Sequence, residues 1–476
     1  MEFDKVERAL EAQLNIDNFV KKKELICCGA KVSVFFSDGL VDQFVLDEFV
    51  ARPLASENRK NLTEKTLKDL LVHIETRVEP DLQKAVLAVF DGDSLLVAEG
   101  IDGFFLISAK KYSTRAITEP PTASVIKGPR EGFTEDLISN ISLIKRKLKT
   151  PDLRFEFLIV GRRTLTKVCL VKLFGVADET VYEKLKSKLE QIDIDGICDS
   201  SYIKSFIKSR PLSIFRQVGD TEKPDILQAK LLEGRIGVIV DGSPLVLTLP
   251  FMFMEDLQSA DDYYIIPHRA SFVRALRFFS MCLGVFMPGF YVACQVYHLS
   301  FIPLRFLMTI ANSMKGIPFS PNIEMLFTLF IFEMLNEASI RMPRYVGMAL
   351  SVVGALVLGD TAVQAGIIST PTILIMALSG IAVYTVPDER NTLSTLRLVF
   401  LLICGSLGVV GMLGGLVVIS IYLGKMSNYG VAYLAPFAPY SKNDLKDGIF
   451  KCPLPIENSR PESLKSKNKT RLIWKN

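Results

Sequence analysis

Two acidic residues lie close together within an apolar stretch of this 476-residue sequence. Glu333 and Glu337 are four residues apart, so a helix would place them on one face. A charged side chain at the centre of a membrane helix costs about 2.5–3.5 kcal/mol on insertion scales, so each charge needs a partner or water. The pair predicts either an acidic vestibule that attracts cations or an anchor in which Glu337 pairs with Arg341.

The segment from Tyr345 to Ala365 has two different faces. Gly347, Ser351 and Gly354 form a stripe of small residues that would let neighbouring helices approach closely. The opposite face carries Val353, Val357, Asp360 and Gln364, with Leu356 beside it. If several copies surround an axis, this second face predicts a pore with a hydrophobic gate and a ring of Asp360 carboxylates. The alternative is that Asp360 lies in a turn at the membrane surface and the valines face lipid.

Charged residues of the N-terminal half are candidates for coupling parts of the protein. These are Arg130, Glu131, Arg162 and Arg163. Beside the glycines of GPREG (128–132), the first two are placed to hold subdomains or neighbouring subunits together through charged hydrogen bonds. A phosphate-binding loop is not indicated, because GPREG lacks the GxxxxGK[ST] pattern. The basic run from Lys145 to Lys149 predicts a solvated helix face, or contact with anionic lipid.

The composition argues against several functional classes. The eight cysteines include no CxxC pair and the chain has three histidines, so we expect no metal site, no cofactor and no catalytic role. The formal net charge of +4 is too small to favour nucleic acid as the main partner. This cysteine usage is typical of reduced, mostly buried thiols on a protein that faces the cytoplasm.

Apolar character is concentrated after about residue 270. The mean hydropathy is +0.29, and four long runs with little or no charge follow one another, at 278–304, 322–340, 345–387 and 398–424. About 20 apolar residues cross a bilayer as a helix. We therefore predict a helical transmembrane domain at 270–424 with about five segments, followed by a basic cytoplasmic tail at 425–476. In the last run, Gly411 and Gly415 have the spacing of a GxxxG packing contact.

Basic residues near the first span predict its orientation. Arg269, Arg274 and Arg277 lead into it, and the charged first 23 residues have no apolar core of signal-peptide type, so we expect the N-terminal half in the cytoplasm. The basic tail favours a cytoplasmic C-terminus as well. Five spans would put the two ends on opposite sides, so the number of spans stays open.

The N-terminal half predicts an α/β region of two subdomains, 1–125 and 134–255, joined by a linker at 126–133. Strands are expected at 31–36, 94–97, 103–107, 153–160, 167–173, 236–240 and 245–249. The two halves look related, since FSDGLVD (36–42) matches LFGVAD (173–178) and each half has an Asp-Gly turn, at 91–92 and at 241–242. One interpretation is a duplication. The other is that any two α/β units share such a pattern.

Longer motifs resemble one family. KGPREGFTEDL (127–137), QVGDTEKPD (217–225), LLEGRIGVIVDGSPLVL (231–247) and YLAPFAP (433–439) are similar, in content and order, to the A subunits of the GerA family of spore germinant receptors. The resemblance implies a two-subdomain cytoplasmic region, a multi-pass membrane domain and a location in the inner membrane of the bacterial endospore. It also implies a transporter-like B subunit and a C lipoprotein as partners, and self-assembly, with pentamers expected, into a nutrient-gated cation channel.

Two other functional interpretations stay open at this point. A transporter would bind a small molecule between broken helices, and the membrane half shows no inverted repeat of the kind such folds use. A membrane-anchored scaffold of a sporulation complex would use its α/β half to bind a cytoplasmic partner.

Overall fold

The computed structural model describes residues 3–14, 20–57, 62–110, 128–343, 346–347, 354 and 357–472. The chain divides into two compact units. The first comprises Met1–Pro211, Val218–Pro250 and Ser459–Ile473, and the second comprises Leu212–Gln217 and Phe251–Asn458. The segment predicted as a single tail at 425–476 is therefore shared, because residues 425–458 belong to the second unit and residues 459–472 to the first.

The first unit begins with a five-stranded antiparallel sheet. Its strands are β1 (Val20–Cys27), β2 (Ala30–Ser37), β3 (Thr76–Glu79), β4 (Ser94–Ala98) and β5 (Phe104–Ile107), in the order β1-β2-β4-β5-β3. The helices are α1 (Phe3–Leu14), α2 (Gln43–Leu46), α3 (Arg52–Ser56), α4 (Glu64–Leu70) and α5 (Leu82–Phe90), with a π-helical turn at Asp47–Ala51. Because side chains alternate along a strand, Val34 of β2 packs against α2, α3 and α4, whereas Phe35 packs against α1 and α5 on the opposite face.

A second antiparallel sheet follows in the same unit. Its strands are β6 (Leu153–Val160), β7 (Thr166–Leu173), β8 (Gly219–Thr221), β9 (Ile236–Val240) and β10 (Val246–Leu249), in the order β6-β7-β9-β10-β8. The helices are α6 (Leu137–Lys147), α7 (Glu179–Glu190), α8 (Ser200–Ile207) and α9 (Pro224–Glu233). Ile144 of α6 and Leu227 of α9 pack with Cys169 and Val171 on one face. α7 and α8 contact β6 and β10.

The two sheets have the same strand order, which supports the internal repeat. In each, the second strand is followed by a glycine with positive φ, Gly39 (81°) or Gly175 (77°), and then by an aspartate that caps the next helix, Asp42 or Asp178. The match between FSDGLVD and LFGVAD is therefore structural. The two Asp-Gly turns are not equivalent, because the turn at 91–92 separates α5 from β4 whereas the turn at 241–242 joins β9 to β10.

The second unit is built mainly from helices. They are α10 (Pro267–Val296), α11 (Leu304–Ser313), α12 (Pro321–Arg341), α13 (Ala362–Gln364), α14 (Thr370–Val383) and α15 (Arg390–Gly424), with a π-helical turn at Val357–Thr361. A short hairpin pairs β11 (Ser427–Asn428) with β12 (Val431–Ala432). In the described part of the chain, two helical stretches, Pro267–Val296 and Pro387–Gly424, are long and apolar enough to cross a membrane, and α14 is a shorter apolar helix.

Glycines allow the long helices to approach closely. A Cβ atom on Gly289 of α10 would lie 2.9 Å from Cys404 Sγ of α15. α15 bends at Gly408, whose φ of 64° and ψ of −152° lie outside the helical range, and the Tyr297 side chain packs against this glycine. By contrast, the atoms nearest to a Cβ on Gly411 or Gly415 belong to α15 itself. In the described residues, α10 and α15 therefore approach closely at Gly289, whereas the predicted GxxxG pair makes no close contact with another helix.

Candidate functional site

Glu333 of α12 pairs with Arg397 of α15 inside the second unit. Glu333 Oε1 accepts hydrogen bonds from Arg397 Nη2 and Ser394 Oγ. Arg397 Nη1 also donates to Ser379 Oγ at 3.2 Å, and that hydroxyl donates to the Gly284 carbonyl at 2.7 Å. Arg397 is only 2% exposed. Four helices, α10, α12, α14 and α15, therefore meet at one ion pair whose charges cancel.

A cavity of about 670 Å³ lies beside this ion pair. Its walls are mainly apolar side chains of α12 and α15, such as Phe330 and Leu398, and Glu333 and Ser394 contribute polar atoms. Because Arg397 neutralises Glu333, this space does not have the negative charge that a cation vestibule requires. An apolar ligand or an apolar segment of a partner matches these walls better than a hydrated ion does.

Glu324, in the first turn of α12, is fully buried. Its Oε1 accepts both the backbone N–H and the hydroxyl of Ser369, each at 2.6 Å, and Ser369 is the N-cap residue of α14. Helix N-termini carry partial positive charge, so the carboxylate lies where α12 and α14 both stabilise it. Glu324 thus ties the starts of two helices together.

Glu337, the second acidic residue of the predicted face, pairs with Arg341 at the surface of the unit. Arg341 Nε lies 2.7 Å and Nη2 lies 2.6 Å from Glu337 Oε1. Both side chains are well exposed, at 61% for Glu337 and 77% for Arg341. This is the geometry of the anchoring interpretation, and in the described residues both Glu333 and Glu337 have an arginine partner.

The predicted pore-lining residues are described only in part. Asp360 is exposed, in the π-helical turn, and accepts a hydrogen bond from Gln364 Nε2 at 2.5 Å. Val353 and Leu356 lie outside the described residues, and Val357 is described by its backbone alone. The structure therefore brings two members of the proposed face together and leaves the hydrophobic gate as a prediction.

Glu131, one of the predicted coupling residues, lies in the predicted linker and pairs with the second subdomain. It accepts a hydrogen bond from Arg146 of α6 and lies 3.1 Å from Lys147 Nζ. Burial raises the pKa of the Glu131 carboxyl, but the neighbouring Lys147 and Arg146 outweigh that effect and hold its pKa below the usual range. Arg130 is exposed beside it.

The Arg162 and Arg163 candidates lie on the loop between β6 and β7. Arg162 Nη2 donates to Asp193 Oδ2 at 2.5 Å, and both side chains are exposed. Arg163 is also exposed, and its backbone N–H donates to the Asp195 carbonyl at 2.8 Å. The contacts described for these two arginines stay within the second subdomain and leave the Arg163 side chain at the surface.

Helix α6 supplies contacts that join the two sheets. In the described residues, Ser142 Oγ donates to the Gly39 carbonyl at 2.9 Å and Lys145 Nζ donates to Ser37 Oγ at 3.0 Å. Lys149, two residues beyond the end of α6, donates to Asp91. Lys145 is only 5% exposed, and its ammonium also lies 5.4 Å from the centre of the Phe155 ring. The predicted solvated face is therefore wrong for Lys145, which is an internal contact between the subdomains.

Sequence reasoning missed the partners of the buried charges. Arg397 directly precedes the uncharged run that begins at Leu398, and Glu324 stands just after Ser320-Pro321, a helix-start pattern. Both positions indicate a buried ion pair or hydrogen bond, because a charged residue next to an apolar run needs a partner. Among the described residues, no group of three His, Cys, Asp or Glu side chains lies close enough together to hold a metal ion.

Comparison with known sequences decides the family. Residues 6–463 match the family described as Bacillus/Clostridium GerA spore germination protein. The chain belongs to the GerA family. It is 36% identical over 445 residues to spore germination protein KA of Bacillus subtilis (strain 168), which covers 92% of this chain and 82% of that relative. The predicted resemblance to GerA A subunits is thereby confirmed.

Other GerA relatives match over most of their length. Spore germination protein GerLA of Bacillus cereus is 31% identical over 475 residues, covering 98% of this chain and 96% of that protein. The uncharacterized membrane protein YfkQ of Bacillus subtilis (strain 168) is 32% identical over 432 residues, covering 90% and 84%. Among solved structures, the N-terminal domain of the A subunit of the Bacillus megaterium spore germinant receptor GerK3 is 25% identical, covers 52% of this chain and 94% of that chain, and has a TM-score of 0.41.

Proposed function

We propose that this chain is the A subunit of a nutrient germinant receptor in the inner membrane of the spore. It assembles there with copies of itself and forms a cation path whose opening triggers germination. Membership of the GerA family over residues 6–463 is the observation that carries the germination role. The membrane location, the assembly and the cation path rest on the arguments that follow.

The distribution of apolar side chains in the second unit supports a membrane location. Leu407, Val410 and Val418 of α15 are 65%, 73% and 65% exposed, whereas Arg397 of the same helix is buried. A long helix with exposed aliphatic residues is costly in water, but lipid covers such a surface. Apolar residues outside and paired charges inside are the arrangement expected of a helical bundle in a bilayer.

The cation path is proposed along the segment around Asp360. Val353, Leu356 and Val357 would form its hydrophobic gate, and a ring of subunits would bring several Asp360 and Gln364 side chains together at one end. Glu333 and Glu337 are each paired with an arginine. They would contribute to the path only in a state in which those pairs have opened.

The partner subunits and the orientation of the first unit are inferred from membership of the GerA family. A transporter-like B subunit and a C lipoprotein would complete the complex, and the first unit would face the cytoplasm. Arg130, Arg162 and Arg163 are proposed as contacts between subunits, because all three are exposed on that unit. Glu131 would support them by fixing its own loop to α6.

Oligomeric state and cation flux test this proposal. The full-length protein should be an oligomer in detergent and, reconstituted with its B and C partners in liposomes, should pass cations when nutrient is added. Val357→Ala should leak cations without nutrient, whereas Val410→Ala, at a 73% exposed position of α15, should not. A monomer combined with normal cation retention in Val357→Ala would overturn the channel, and uptake of a radiolabelled amino acid by this chain alone would favour a transporter.

A further inference from the structure

Two buried carboxyl groups of the second unit lie within hydrogen-bonding distance of each other. Asp256 belongs to the 3-10 turn Phe253–Leu257, and Glu389 is the N-cap residue of α15. The Asp256 side chain is fully buried, and Glu389 is 4% exposed. Within the described residues, neither Asp256 Oδ2 nor Glu389 Oε1 receives a hydrogen bond from a donor group.

The charges around the pair do not balance if both carboxyl groups are ionised. Arg216 Nη1 donates to Asp256 Oδ1 at 2.8 Å and to the exposed Asp388 at 3.1 Å. Three carboxylates would therefore face one guanidinium. Near the pair, the described residues also include the buried Tyr433 and the half-buried Glu255, and Glu255 already accepts the Met252 backbone N–H at 2.8 Å.

A single proton would account both for the carboxyl oxygens that lack a donor and for the excess of negative charge. A proton bound to one of the two carboxyl groups makes that group the donor that the other one lacks, and it removes one of the three negative charges. We propose that the Asp256–Glu389 pair is a proton-binding site that fastens the start of α15 to the turn Phe253–Leu257. In agreement with this, burial and the neighbouring Glu389 charge raise the pKa of Asp256 well above its usual range.

The site links proton binding to the position of the start of α15. When the proton leaves, two buried carboxylates repel each other, and Arg216 is shared between Asp256 and Asp388. The start of α15 then keeps its hydrogen bond from Thr392 Oγ1 to the Ile214 carbonyl, at 2.8 Å, but loses its direct link to the turn. A pH-dependent receptor response would follow from the proposed function, whereas the proton site itself does not depend on it.

The direction of the pH effect follows from linkage. In the unfolded chain both carboxyl groups titrate near about pH 4, so above that pH the folded chain holds a proton that the unfolded chain does not. The stabilisation is complete below about pH 4 and is lost progressively as the pH rises toward the pKa of the folded pair. Across that window the folding equilibrium constant falls about tenfold per pH unit for one proton.

Thermal unfolding of the full-length protein in detergent, measured over a pH series, tests the site. Glu389→Gln carries a permanent amide donor, so it should keep the contact with Asp256 and lose this part of the pH dependence. Asp388→Asn also removes a charge near Arg216 but is exposed, so it should keep the wild-type slope. Equal slopes in the wild type and Glu389→Gln would overturn the proposal. Stabilisation of the wild type but not of Glu389→Gln by K⁺ or Ca²⁺ at neutral pH would overturn it in favour of a bound cation.

Infrared spectroscopy of the wild type gives a second measurement if Glu389→Gln does not fold. A shared proton should produce the C=O stretch of a protonated carboxyl group at neutral pH, and its absence would contradict the site. Both measurements are made without nutrient or partner subunits. A failure here therefore leaves the germination role untouched, and a failure of the receptor role leaves the proton site standing.

Discussion

Arg397 of α15 donates to Glu333 of α12 from a position that is almost completely buried, whereas Arg341, on α12 itself, reaches Glu337 in an exposed pair. The two glutamates lie on one helix four residues apart, yet one pair joins two helices and the other stays within one. Desolvation makes the difference, because an exposed ion pair contributes about 0–1 kcal/mol whereas losing one partner of a buried pair costs about 3 kcal/mol or more.

Arg397→Met should therefore destabilise the second unit strongly. It leaves Glu333 facing an apolar cavity without its basic partner, and it removes the hydrogen bond to Ser379. The Glu333 side chain is 36% exposed, so the loss should lie between these two limits, at about 2 kcal/mol, measured as a lower midpoint of unfolding in detergent. Arg341→Met, the matched control on the exposed pair, should cost less than about 1 kcal/mol. Similar losses in both variants would contradict the structural distinction.

Glu324→Gln tests the carboxylate that ties two helix starts together. The amide keeps an oxygen acceptor for Ser369 but loses the negative charge that faces the N-termini of α12 and α14. A loss of about 1–2 kcal/mol is expected, with faster hydrogen exchange at the start of α14. Glu337→Gln should leave exchange in α14 unchanged. An unchanged unfolding midpoint in Glu324→Gln would contradict a stabilising role of this charge at the two helix starts.

In the two five-stranded sheets of the structure, the sequence predicts all six central strands but, of the four edge strands, only β6, expected at 153–160. The predicted strands at 31–36, 167–173 and 236–240 correspond to β2, β7 and β9, which lie inside the sheets and carry continuous apolar runs. β1 was missed because its sequence VKKKELIC is charged, as an edge strand open to solvent on one side permits. β3 and β8, also edge strands, have four and three residues and give almost no periodic signal.

In the candidate site, the sequence indicates the charged residues but not the residues that pair with them. Its charges could be found in the sequence, because an acidic residue in an apolar run is conspicuous. Their partners could not, since Arg397 lies 64 residues from Glu333 and Ser369 lies 45 residues from Glu324. Only the packing of the helices brings such residues together. The pair at Glu337 and Arg341 was predictable because it needs nothing beyond the spacing of one helical turn.

Lys145→Met should loosen the contact between the two sheets of the first unit. The substitution keeps an apolar side chain of similar length but removes the ammonium that donates to Ser37 and lies over Phe155. Because Ser37 is fully buried, the loss should amount to about 1–2 kcal/mol. Hydrogen exchange of β2 in the full-length protein measures it. Lys147→Met, which removes a cation paired with Glu131 in the same subdomain, should leave exchange in β2 unchanged.

The Asp199 carboxyl should make the stability of the first unit depend on pH in the acid range. Burial raises the pKa of its carboxyl, but hydrogen bonds from Ser243 and from the start of α8 outweigh that effect and lower the pKa to about 2. Since the folded pKa lies below the unfolded one, this stabilisation is present above about pH 4 and is lost as the pH falls toward about 2.

Asp199→Asn should flatten this acid dependence and cost on the order of 1 kcal/mol at neutral pH, because a charged N-cap is lost. An acid titration of the full-length protein followed by near-ultraviolet circular dichroism measures both effects. Ser243→Ala removes one of the lowering hydrogen bonds and should produce a smaller change in the same direction. Superimposable acid transitions in all three proteins would show that Asp199 does not contribute.

Gly408→Ala should destabilise α15 at its bend. The φ of 64° is unfavourable for any residue with a side chain, and a Cβ would lie 3.1–3.2 Å from atoms of Tyr297. Gly414→Ala on the same helix has no atom within 4 Å of the new Cβ, so it should stabilise the helix by up to about 1 kcal/mol through its higher helix propensity. Opposite shifts in the unfolding midpoint are therefore expected for two identical substitutions six residues apart, and shifts of the same sign would contradict a bend fixed at Gly408.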